Sequence, residues 1–123
     1  MKEQYIQKLT LIIQEQVQMF LLDAGEFYPF GTCIDKNENV KPVGVYLDND
    51  NPTSLEVISL LEENMKRGVE NGQYKIGAVV IDVTIKEGEV NFDAIEIRFF
   101  EPDNQEYKRR IKYKTYGSHI EFM

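Results

Sequence analysis

Tyr74–Ile85 (YKIGAVVIDVTI) and Val90–Phe100 (VNFDAIEIRFF), with Glu87-Gly88-Glu89 between them, decide how this chain folds. In the first run Val79, Ile81, Val83 and Ile85 share one parity, and Ala78, Val80, Asp82 and Thr84 the other. Side chains alternate faces along a strand, so one face is wholly apolar and the other mixed. The second run repeats the pattern, with Ile95, Ile97 and Phe99 on one face and Ala94, Glu96 and Arg98 on the other. Matching the two apolar faces sets the register, because a one-residue slip would bury Glu96 and Arg98. That match predicts a three-residue hairpin loop with Gly88 in the middle, although glycine more often takes the last position of such a loop.

Working outward, residues 3–22 carry apolar side chains at steps of three and four: Tyr5, Leu9, Ile12, Ile13, Val17, Phe20 and Leu21. This predicts an amphipathic helix that stops near Gly25. An aromatic segment follows, with Phe27, Tyr28 and Phe30 around Pro29. Pro29 lacks a backbone donor, which suits an edge strand or a strand start. Thr32-Cys33-Ile34 and Val43–Leu47, joined through Asp35-Lys36-Asn37-Glu38-Asn39, form a candidate hairpin weakened by Pro42 and Gly44. Asp48-Asn49-Asp50-Asn51-Pro52 launches a second helix, whose start carries a T-x-x-E capping pattern at Thr53 and Glu56 and whose end lies near Gly68 or Gly72. Beyond the central pair, a turn region from Glu101 to Glu106 leads into a last strand, Tyr107–Tyr116. There Ile111, Tyr113 and Thr115 alternate with Lys108, Arg110, Lys112 and Lys114. The chain ends in a tail, Gly117–Met123.

The expected architecture is therefore α+β. A single domain spans 1–123, with two helices on an antiparallel sheet of about five strands in the order α-β-β-α-β-β-β. Helices on one face would leave the other open to solvent or to a second copy; helices on opposite faces would enclose the sheet. The mixed face is expected to be covered only in part, with Ala78, Val80 and Phe100 beside Asp82, Glu96 and Arg98.

A net charge of −7 argues against nucleic acid as a partner, because phosphate binding requires a dense positive surface. No apolar run approaches the roughly 20 residues that span a membrane, and the first residues lack the pattern of a signal peptide. A lone cysteine, Cys33, cannot form an internal disulfide. Together these features lead us to expect a cytoplasmic protein without membrane contact.

Four groups are candidate sites, and each has a structural explanation beside the functional one. The basic strand Lys108, Arg109, Arg110, Lys112 and Lys114 suits an acidic partner, or else protects a sheet edge, with Lys112 near Glu96. Asp82, Glu96 and Arg98 form a polar island: two carboxylates able to share a proton or a metal, or a surface ion network. The Phe27-Tyr28-Pro29-Phe30-Gly31 segment lines a pocket or a protein contact, or packs against the first helix. Cys33 and His119 make a nucleophile pair only if the fold joins them. No zinc ligand set is present. The acidic loop at Asp48 lacks the sixth-position glycine and twelfth-position glutamate of a calcium loop, Ser59 standing at the twelfth. No cofactor or metal is expected.

Tyr28-Pro29-Phe30-Gly31 and Asp93-Ala94-Ile95, within this element order, resemble a group of small uncharacterised bacterial α+β domains over most of the chain. That resemblance carries no activity. In element order the chain is also similar to roadblock and longin domains, which dimerise or bind small GTPases. It departs at Gly117–Met123, too short for a closing helix. The expected function is non-enzymatic protein binding, by a regulatory or immunity-type domain that neutralises a basic toxin, or by one that pairs with a second copy. The alternative is a small enzyme or ligand carrier whose pocket, between the first helix and the sheet, is lined by Tyr28, Asp82 and Glu96.

Overall fold

A computed structural model describes residues 2–44, 53–103 and 106–123. Helix α1 spans Lys2–Ala24 and α2 spans Ser54–Glu70. The strands are β1 Phe30–Asp35, β2 Val40–Val43, β3 Tyr74–Glu87, β4 Val90–Phe100, β5 Glu106–Tyr116 and β6 His119–Phe122. Among the described residues they form one six-stranded antiparallel sheet in the order β2-β1-β3-β4-β5-β6. The class is the expected α+β. The sixth strand corrects the expectation of about five: the tail turns back at Gly117-Ser118 and pairs with Tyr113–Tyr116. Its alternation, with Ile120 buried and Phe122 half-buried on the α1 side, was already a strand pattern. β2 lies earlier than expected, at 40–43 rather than 43–47, and it takes in Pro42 because it is the sheet edge, where a missing donor costs nothing. Of that expected strand, 45–47 lie outside the described residues, as do the acidic loop 48–52 and Asn104.

The central hairpin adopts a different register from the expected one. Glu87 faces Val90, so the loop is Gly88-Glu89 alone, with Gly88 at φ 62°. A two-residue turn with positive φ at its first position and glycine there matches the right-handed twist of the strands. Val79 then faces Arg98, Ile81 faces Glu96, Val80 faces Ile97 and Asp82 faces Ile95. The apolar row of each strand thus meets the mixed row of the other. Expecting the two apolar rows to coincide presumes that one face stays wet; here both faces are covered.

α1 covers the first face. Leu9, Ile13, Val17 and Leu21 are buried against Ile34, Ala78, Val80, Ile95, Ile97 and Phe99. α2 covers the second, where Leu61, Met65 and Val69 pack with Cys33, Val79, Ile81 and Phe100. The helices therefore lie on opposite faces of the sheet, and the expected partial cover of a single mixed face is corrected accordingly. Burying each such aliphatic side chain contributes about 1.5–3 kcal/mol, so neither helix needs strong intrinsic propensity. α1 stops where Gly25 takes φ 75° and donates its N–H to the Leu21 carbonyl at 2.8 Å. α2 starts at Thr53, whose hydroxyl accepts the Glu56 N–H at 3.2 Å.

α2 approaches the sheet closely because two strand positions lack side chains. A Cβ at Gly77 would lie 2.4 Å from Met65 Sδ, and one at Gly31 2.7 Å from Met65 Cε. The saddle between β1 and β3 seats a methionine that is wholly buried. On the helix, a Cβ at Gly68 would lie 2.2 Å from the Tyr74 ring. A ring held between helix and strand yields less readily than a methionine tip. Gly68→Ala is expected to destabilise the fold by about 1–3 kcal/mol despite its better helix propensity, as measured by urea unfolding.

Candidate functional site

At the C-terminal end of α1 the chain leaves the helix through Gly25 and enters β1 at Phe30. The crossing places Phe20 edge-on to Phe30 at 5.4 Å between ring centroids, and Phe27 edge-on to Phe30 at 5.8 Å. Edge-to-face contacts between rings add to their apolar burial. Phe27 is buried in the α1 core, whereas Tyr28 is 75% exposed. These rings line an open hollow of about 430 Å³, with Asp23 and Glu26 at its rim. The aromatic segment is therefore divided: Phe27 packs inward, and Tyr28 stands beside a hollow. Sequence reasoning named Phe27, Tyr28 and Phe30 but not Phe20 or Asp23. Their three-residue spacing on one helix face, just before the stop at Gly25, was the available signal.

Near this hollow lies Asp82, on the α1 face of β3. Its Oδ1 accepts the Tyr113 hydroxyl at 2.9 Å. Partial desolvation pushes the Asp82 carboxyl above its usual range against the pull of that hydrogen bond, and the like charges of Asp93 and Glu26 push it the same way. Burial and the same carboxylate push the Tyr113 phenol up. Asp23, Glu26, Asp82 and Asp93 thus collect negative charge at an end of α1 whose last turn holds no basic residue. The helix dipole adds its own negative end there.

Glu96 and Arg98 lie on the other face, so the polar island expected with Asp82 does not form. Each central strand contributes its mixed row to a different face of the sheet. The Glu96 side chain is 2% exposed and sits between two guanidiniums: Arg98 Nε donates to Oε2 at 2.7 Å, and Arg110 Nε to Oε1 at 2.8 Å. Arg98 Nη1 also reaches Glu62 on α2 at 2.7 Å, which ties helix to sheet. Burial raises the Glu96 carboxyl, but the hydrogen bonds from Arg98 and Arg110 outweigh it and leave the group below its ordinary value. Arg110 occupies the place expected for Lys112, because β4 and β5 pair with Glu96 opposite Arg110 and Ala94 opposite Lys112. Lys112 instead pairs with Glu87 and lies 4.1 Å above the Phe92 ring. Arg110 and Lys112 are thus engaged within the molecule.

The remaining candidates come apart. Cys33 on β1 and exposed His119 on β6 are separated by three strands, roughly 20 Å at the usual strand spacing. Burial pushes the Cys33 thiol up, the opposite of what a nucleophile requires. His119 stacks on Tyr116 at 4.9 Å. Because Glu96 is on the α2 face, no single pocket is lined by Tyr28, Asp82 and Glu96 together. Among the described residues no three His, Cys, Asp or Glu side chains cluster as metal ligands, and no helix is long and apolar enough to cross a membrane. No protein-family model, curated protein or solved structure matches this chain.

The two carboxylates respond oppositely to pH. Glu96, lowered in the fold, stabilises above the unfolded value of about 4.3, and that contribution is lost as pH falls through its lower folded value. Asp82, raised in the fold, carries a cost above its folded value that has vanished once pH drops below about 3.9. Glu96→Ala is expected to destabilise by about 1–3 kcal/mol at pH 7, with the gap from wild type closing in acid. Asp82→Asn is expected to be more stable than wild type at pH 7 and equal to it near pH ~3. Urea unfolding across that pH range measures both.

Proposed function

We propose that this chain is a non-enzymatic protein-binding domain that engages its partner at the aromatic hollow ending α1. The observation that carries this reading is Tyr28, 75% exposed, lining a hollow together with Phe20, Phe27 and Phe30. Aromatic side chains around a recess are what interface anchors use, since they supply large contact area with few rotors to freeze. The separation of Cys33 from His119, and of Asp82 from Glu96, supports a binding role over a catalytic one. The acidic total suits a basic partner, as for a regulatory or toxin-neutralising protein, and opposes self-pairing more than it favours it. A cytoplasmic location belongs to the same proposal and is supported by a single free cysteine.

A second reading, a small-ligand carrier, is favoured by one observation. The hollow, at about 430 Å³, falls within the size range of small-molecule sites.

The test is site-specific photocrosslinking in cells of the source organism, with p-benzoylphenylalanine at Tyr28 and, as a control, at exposed Tyr116 on β5. The binding reading expects a discrete protein adduct at position 28 that Phe20→Ala removes while the melting temperature stays within a few degrees. Adducts at 116 but not at 28 would overturn the assignment of the surface. A small-molecule adduct at 28 would favour the carrier.

A further inference from the structure

We propose that the hollow takes a cationic side chain, an arginine or a lysine, presented by an extended segment of the partner. This inference rests on the protein-binding reading and specifies what enters the site.

Three features of the site agree in sign. Its lining includes four aromatic side chains, Phe20, Phe27, Tyr28 and Phe30, and aromatic ring faces carry the negative lobe of the ring quadrupole, which attracts a cation within about 6 Å. Its rim bears Asp23 and Glu26, both exposed and neither offset by a cation among the lining residues. α1 ends at this point with no basic residue in its last turn, so the negative end of its dipole adds to the same region. Asp82 senses Glu26 as a like charge, so the negative field extends from the rim onto the sheet.

The volume matches this occupant. About 430 Å³ is too small for a helix but admits one long side chain with its flanking backbone. An arginine stem would lie against the rings, with the guanidinium reaching the rim carboxylates. An apolar side chain would fill the hollow and leave both rim charges unanswered. An anionic one would face repulsion from every charge named above.

The experiment is an NMR titration of the whole protein with three capped amino acids. These are N-acetyl-arginine N-methylamide, its neutral isostere N-acetyl-citrulline N-methylamide, and N-acetyl-norleucine N-methylamide, each followed through the Tyr28 and Phe20 ring signals. Arginine is expected to bind about fivefold more tightly than citrulline at low salt, with the preference shrinking as salt rises. Asp23→Asn with Glu26→Gln should reduce that preference to less than about twofold while leaving norleucine unchanged, because both residues are exposed and stabilise no core. Citrulline or norleucine binding as tightly as arginine would overturn the cationic assignment and leave the protein-binding reading standing. Ring signals that respond to none of the three would also overturn it, and the crosslink at position 28 would then judge the broader reading separately.

Discussion

Glu87 faces Val90 across two residues, and that spacing governs everything built on the central hairpin. An even loop puts odd-numbered residues of β3 opposite even-numbered residues of β4. Each face of the ribbon then receives one apolar row and one mixed row. Neither face can be left to water, and neither is greasy enough to require cover along its full width. Two amphipathic helices, one on each side, meet that condition. The same spacing sends Asp82 to one side and Glu96 to the other, and so sets the charge of both surfaces.

The two sides treat their carboxylates differently. Glu96 is almost wholly enclosed, and an enclosed charge is tolerated only with close, well-directed partners. Arg98 and Arg110 supply them, and Glu62 shares the Arg98 guanidinium, so the α2 side is balanced internally. Asp23 and Glu26 stay near water, where a lone charge costs little, and Asp82, partly desolvated, accepts a hydrogen bond from the Tyr113 phenol that adds no positive charge. The chain's excess of acid therefore finds a local outlet beside aromatic rings at the end of α1. Solvated acids next to exposed rings have the chemistry of the recognition surface proposed above, whereas the triad around Glu96 ties α2 to the sheet through Arg98 and Glu62.

Much of the fold was legible from residue spacing. The period of α1, the cap at Thr53, the stop at Gly25 and the alternation of β3, β4 and β5 are local signals, and local physics realises them. Register was harder, because it depends on whether the far side of the sheet is covered, and no strand records that by itself. Reading Glu96 and Arg98 as too polar to enclose overlooked that Arg110 arrives from a strand 14 residues away to complete the set. The candidate site was half visible. Tyr28 and its neighbours stand out in sequence, but Phe20 and Asp23 join them only because the chain reverses at Gly25. Ile120 and Phe122 showed a strand's period in a segment short enough to read as a tail.

Cys33 has a practical consequence. It is the chain's single thiol, it lies wholly enclosed beneath α2, and its surroundings disfavour the thiolate. An alkylating reagent can reach it only when α2 lifts from the sheet or the whole molecule opens. The rate of labelling under native conditions therefore reports the free energy of that opening, with no dye or engineered probe, and the molecule carries its own clock for excursions from the closed state.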